Sequence, residues 1–237
     1  MKSLAKRRQE LNEPPASIAL MLKGVELIIY DLDGVIIDST EAICFAFNKA
    51  LEGVEEPPQP EEELRGMIGV ALAEMFRTVL PPEKHHRIGF CFERYLEAFG
   101  EVSPGLTTIL DGVEETMQYF KDGGMRQSLA TNKSSLEAER ILTDLDLRRF
   151  FDPVIGSNDV DAPKPSPDMI HLTLNRLKVE PEKAVLVEDS PTGLEAGKAS
   201  RVHTIAAATG THPRSLLALW EPDYIVDDIR DLRKILL

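Results

Sequence analysis

From residue 105 onward the chain alternates between short β-type runs and helical stretches, and that alternation narrows the folds open to it. The runs are "MRQSLAT" (125–131), "PVIGS" (153–157), "KAVLVED" (183–189), "RVHTIAA" (201–207) and "DYIVDD" (223–228). Between them, 134–147, 168–178, 191–199 and 213–220 space their apolar residues as helices do, as do Asp111 to Gly124 before the first run and the last residues of the chain. Strands that alternate with helices are joined by right-handed crossovers and give a mostly parallel sheet. An earlier apolar run, "VELIIYD" (25–31), has no strand close to it in sequence and most simply enters the same sheet. The expected fold class is α/β: a Rossmann-like, mostly parallel sheet with helices on both faces, interrupted after its first strand.

The interruption reads as all-helical. "DSTEAICFAFNKALEGV" starts with Asp38 and Glu41 placed as an N-cap and its reciprocal partner. "PQPEEELRGMIGVALAEMFRTVL" and "PPEKHHRIGFCFERYLEAFG" follow as helices, each opened by prolines. No strand is expected there. The organisation is an N-terminal extension (1–24), an α/β core (25–37 and 105–237) and a helical cap domain (38–104), with hinges at Ile36–Ser39 and Gly100–Gly105. The start is basic and then briefly apolar. Glu10, Glu13 and Pro14-Pro15 interrupt it, so a loosely ordered tail with a short helix is expected rather than a signal peptide.

The formal charge of −13 argues against nucleic acid and anionic membranes as partners. It also requires local positive charge wherever a small anion is to sit. Cys44 and Cys91 form no CxxC, and no apolar run is long enough to cross a bilayer, so a cytoplasmic protein with free thiols is expected. "GLEAGKAS" is not a Walker loop: three residues separate Gly193 from Gly197, and Ala199 follows Lys198. Composition leaves the oligomeric state open.

Ligands of open α/β sheets bind outside the carboxyl ends of the strands. The first strand ends at Asp31-Leu32-Asp33, the second at Thr131-Asn132, and the fourth at Glu188-Asp189-Ser190. The loop after the third carries Lys164 in "APKPSP". Asp31, Asp33, Glu188 and Asp189 make an oxygen-rich nest suited to a hard divalent cation, Mg²⁺. Gly34 permits a tight turn and a close backbone approach. Each piece alone has a plainer explanation, as a loop cap or a solvated lysine, so their value is joint.

"DLDGVIIDS", "ATNKS", "KPSPD" and "VEDSPTGLEAGKAS", in that order, resemble the motifs of the haloacid dehalogenase-like hydrolase superfamily. The resemblance covers about residues 25 to 237 and is strongest to its phosphoglycolate phosphatase and β-phosphoglucomutase branch, which has a helical cap. It implies that Asp31 is a nucleophile forming an aspartyl-phosphate and that Asp33 moves the proton of the leaving oxygen. It implies that Thr131 and Lys164 address the phosphoryl oxygens, while Asn132 positions its loop and offers its backbone N–H. Asp189 would ligate Mg²⁺ with Asp31 and the Asp33 carbonyl, with Glu188 as a further ligand or an orienting group. Dehalogenases of the family lack the second aspartate, so Asp33 favours phosphoryl transfer. Ile43 stands where β-phosphoglucomutases carry a cap histidine, which weakens the mutase alternative. In "LRGMIG", Arg65 is a candidate clamp for a substrate carboxylate or hydroxyl. The expected activity is hydrolysis of a small phosphorylated metabolite, phosphoglycolate or a sugar phosphate. A phosphometabolite-binding protein without catalysis and a phospho-acceptor signalling domain are the rivals from other classes.

Overall fold

The computed structural model describes residues 22–236; the expected N-terminal tail up to residue 21 lies outside that range. The first elements are β1 (Leu27–Tyr30), β2 (Ile37–Asp38), α1 (Thr40–Glu52), α2 (Glu61–Arg65), α3 (Leu72–Val79) and α4 (Ile88–Leu106). Then come β3 (Thr108–Ile109), α5 (Val113–Asp122), β4 (Arg126–Ala130), α6 (Ser135–Asp144), β5 (Val154–Ile155) and α7 (Asp168–Leu177). The chain ends with β6 (Ala184–Glu188), α8 (Pro191–Ser200), β7 (His203–Ala207), α9 (Arg214–Leu217), β8 (Tyr224–Val226) and α10 (Leu232–Ile235).

Six strands form one parallel sheet in the order β5-β4-β1-β6-β7-β8. All four residues of β1 are fully buried, which is why its sequence is apolar without alternation. Successive side chains of a strand still point to opposite faces. Ile28, Tyr30, Leu129 and Val187 pack in one core with Val113 and Phe120 of α5. Leu27, Ile29, Ala130 and Leu186 pack in the other with Met169 and Ile170 of α7. Tyr30 lies level with Leu129 on one side and Val187 on the other, so the residues that follow reach the same edge together. The strand order reverses at β1, and the crevice of such a sheet opens at that switch.

The helices between Thr40 and Leu106 pack on one another through α1 and α4, and Phe47 stacks on Phe76 of α3 with ring centroids 4.4 Å apart. The segment after Pro60 is two helices separated at "LRGMIG", where the chain breaks at Gly66 and turns through Gly69 at φ +96°. Three expectations change here. β2 and β3, where no strand was expected, pair antiparallel and close the neck of the insertion. The helix α1 starts at Thr40, whose N–H donates to Asp38 Oδ1 at 2.9 Å. That leaves the Ser39 hydroxyl free for another partner.

The third change concerns the segment expected as a hinge, Gly100–Gly105, which is helical because α4 runs on to Leu106. Pro104 lies inside its last turns and has no N–H for the Gly100 carbonyl. Arg140 of α6 donates to that carbonyl instead, at 3.1 Å, so the helix continues without an orphaned acceptor. No helix among the described residues is long and apolar enough to cross a membrane.

Candidate active site

Asp31 is the first residue beyond β1, and its N–H continues the ladder to the Val187 carbonyl at 3.0 Å. The Lys164 ammonium donates to Asp31 Oδ1 (2.7 Å), Glu188 Oε2 (2.8 Å) and the Ala130 carbonyl (3.0 Å), which uses all three of its protons. Its loop has no regular structure, and Asn132 holds it. Asn132 Oδ1 accepts from the Lys164 N–H at 3.0 Å, and Asn132 Nδ2 donates to the Lys164 carbonyl at 3.1 Å. The same Nδ2 donates to the Gly69 carbonyl at 2.8 Å, so one side chain joins the sheet edge, the lysine loop and the helical insertion. Glu188 Oε1 accepts from the N–H groups of Asp189 and Ser190, both at 3.2 Å, and from the Ser190 hydroxyl at 2.8 Å. Its carboxylate is thus fixed at both oxygens.

Asp31, Glu188 and Asp189 each offer an oxygen within 4.8 Å of the others, and all three are buried. Burial pushes the Asp31 carboxyl up to about 7; Lys164 opposes this, while Glu188 and Asp33 add to it. Burial also lifts Asp189 well above the usual carboxylate range, and Glu188 and Asp31 reinforce the shift. Asp189 Oδ2 has no hydrogen-bond partner. Gly34 leaves the room this oxygen occupies: a Cβ there would lie 2.0 Å from it, and φ is +77°. An all-oxygen set with one orphaned atom, whose members resist ionising together, fits a hard divalent cation. Asp33, expected in the same nest, keeps its carboxylate out of it. Ser39 donates to Asp33 Oδ1, and Lys133 Nζ lies 3.2 Å from Asp33 Oδ2.

Residues 28–207 match the family model described as haloacid dehalogenase-like hydrolase. The chain belongs to that family. It is 30% identical over 235 residues to phosphoglycolate phosphatase of Salmonella paratyphi A, covering 89% of this chain and 92% of the relative. It is 29% identical over 212 residues to phosphoglycolate phosphatase 1 of Pseudomonas aeruginosa, covering 87% and 78%. A haloacid dehalogenase-like family hydrolase from Streptococcus pneumoniae shares the fold with a TM-score of 0.80 at 22% identity, covering 89% of this chain and 97% of that one.

In this hydrolase a cavity of about 170 Å³ opens from Asp31, Asp33 and Thr131 toward the insertion. Thr131 is buried, and its Oγ1 accepts from the Lys133 N–H at 3.3 Å. The cavity also meets Lys133, Glu137 and Tyr95, none of which was expected at the site. The Lys133 side chain is 8% exposed, 4.0 Å from Glu137 Oε1 and 4.5 Å from the Phe99 ring centroid of α4. Burial works against its charge, but the carboxylates around it, Asp33 first and then Glu137, hold the ammonium above its usual range. Lys133 and Ser39 both lie within the motifs that led to Asp31 and Thr131. Their positions beside strand ends were the available signal. Arg65 is half-exposed and 3.5 Å from Glu61; it lines a smaller cavity of about 60 Å³ beside Gly34 and Asp189.

Proposed function

We propose that this hydrolase cleaves a small organic phosphomonoester, phosphoglycolate or a sugar phosphate, through an aspartyl-phosphate on Asp31. The observation that carries the reading is the buried Lys164 ammonium shared between Asp31 and Glu188, with Asp33 and Thr131 on the same cavity. An Asp31 oxygen attacks phosphorus and the bond to the leaving oxygen breaks. Asp33 gives that oxygen its proton. Water then attacks the acyl-phosphate, Asp33 takes a proton back, and phosphate leaves. Lys164 keeps the nucleophile oriented and its charge balanced, while Thr131 donates to a phosphoryl oxygen. Asp31 and Asp189, with the Asp33 carbonyl and with Glu188 behind them, would hold the Mg²⁺, whose charge offsets that of the phosphoryl oxygens when it is bound.

The helical insertion, taken as a cap over 38–104 on a core of 25–37 and 105–237, excludes water from the first step and admits it for the second. Ile43, buried and on the cavity wall, has no proton to transfer, which favours hydrolysis over mutase chemistry. Hydrolysis of p-nitrophenyl phosphate with and without Mg²⁺, in wild type and Asp31→Asn, tests the reading. Turnover that needs the metal and is lost in the variant is expected. No turnover with metal points to a binding protein, and a long-lived phosphoprotein after acetyl-phosphate treatment points to a signalling domain; either result overturns it.

A further inference from the structure

The far end of the larger cavity has chemistry that the proposed phosphoryl transfer does not use. Lys133 pairs with Asp33 and Glu137 on the cavity, Lys164 pairs with Asp31 and Glu188 behind it, and Asp189 pairs with no cation among the described residues. Lys164 has no proton left to give. Two ammonium groups and a bound divalent cation do not exceed the charge of these five carboxylates. No cation is left over for a second anionic group on the substrate. Arg65, the other candidate, lines the smaller cavity and faces Glu61.

Glu137 is where the cavity can accept. It lies in the first turn of α6, where its N–H donates to Ser134 Oγ at 3.2 Å, so the base of its side chain is fixed. The side chain is 13% exposed, and Oε1 is buried without a hydrogen-bond partner. Lys133 at 4.0 Å is too far to supply one. An unpartnered buried carboxylate oxygen costs free energy that a hydroxyl donor would offset. Tyr95 lines the same region, and burial keeps its phenol neutral, so it too suits a hydroxyl. Ile43, Val70 and Met75 form an apolar wall that fits the carbon chain.

Resting on the phosphatase reading above, we infer that Glu137 accepts a hydrogen bond from a hydroxyl of the leaving alcohol. The site then selects phosphomonoesters of polyhydroxylated alcohols, polyol and sugar phosphates. It disfavours esters such as phosphoglycolate, whose leaving group carries its own carboxylate.

The test compares kcat/KM with Mg²⁺ on glycerol phosphate, sorbitol 6-phosphate, phosphoglycolate and p-nitrophenyl phosphate, for wild type, Glu137→Gln and Glu137→Ala. In the wild type, at least one hydroxylated ester should exceed phosphoglycolate by about tenfold or more, the worth of one charge-assisted hydrogen bond. Glu137→Gln keeps the shape and should lower the ratio of hydroxylated ester to phosphoglycolate by about tenfold. Thermal unfolding reports whether each variant folds; where the alanine variant does not, the wild-type ratio and inhibition by glycerol against glycolate still decide. Phosphoglycolate equal to or better than every hydroxylated ester overturns the inference, as does a Glu137→Gln variant that changes all four substrates by one factor. If p-nitrophenyl phosphate is not turned over either, the phosphatase reading fails, and the inference fails with it. If p-nitrophenyl phosphate alone is cleaved, the phosphatase reading stands and the inference does not.

Discussion

Gly69→Ala separates the seating of the helical insertion from the stability of the fold. Gly69 turns the chain between α2 and α3 at φ +96°, and its carbonyl accepts from Asn132. An added Cβ would lie 2.7 Å from Ser190 Cβ and 2.9 Å from Ser190 Oγ. Ser190 cannot move aside, because its hydroxyl donates to Glu188 Oε1 at 2.8 Å and accepts from the Gly193 N–H at 3.1 Å. The left-handed backbone costs alanine about 1–2 kcal/mol. Losing the bond to Asn132 costs about 1 kcal/mol more. At 1.4 kcal/mol per factor of ten, the sum of about 2–3 kcal/mol predicts a fall of about 30- to 100-fold in kcat/KM. The clash lies at the contact between insertion and sheet, away from Phe47, Phe76 and the β1 core, so thermal unfolding should move little. Steady-state kinetics on p-nitrophenyl phosphate and a thermal melt on the same preparation supply both numbers. Full activity would refute the claim that this contact must form. A melt that falls in proportion to activity would refute the claim that Gly69 serves seating rather than folding.

Three further outcomes are expected. Lys164→Met leaves Asp31 and Glu188 buried without their ammonium; it should abolish turnover and cost about 3–5 kcal/mol of stability in a denaturant titration. A wild-type unfolding curve would count against the charge balance described here. Without metal, the folded protein holds a proton on Asp31 up to about pH 7, where an unfolded aspartate has lost it above about 4. The folded state therefore binds more protons across that window, and metal-free stability falls as pH rises through it. Mg²⁺ must expel such protons, so its affinity should rise with pH, and calorimetry in buffers of different ionisation heat should detect their release near pH 6; no release would contradict this. Ser39→Ala removes the hydroxyl donor to Asp33 and should lower kcat/KM about tenfold, the loss of one bond to a charged group, while the melt shifts by only a few degrees. An unchanged kcat/KM would show that Asp33 needs no such support.

Asp31, Thr131, Glu188 and Asp189 were legible in the sequence for a simple reason. Each ends a strand, and parallel register brings neighbouring strand ends level without any knowledge of side-chain packing. Lys164 lies in a loop that no periodicity describes; topology placed that loop at the crevice, and the family resemblance gave the lysine its role. The helical conformation of Gly100–Gly105 is not legible in the sequence because a proline and two glycines ordinarily end a helix. The acceptor that Pro104 abandons is satisfied by Arg140, a residue of another element that local sequence does not reveal. Glu137 and Tyr95 were illegible on the same ground, and what Lys133 does beside its strand end depends on both of them. The period of a helix says which face is buried, not what it is buried against, and these three meet only when α4 lies over the start of α6. The parts common to the family's chemistry therefore sit on backbone that the sequence makes readable. The parts that choose a substrate sit at a contact between insertion and sheet, where a single carboxylate such as Glu137 has meaning only once both sides are in place.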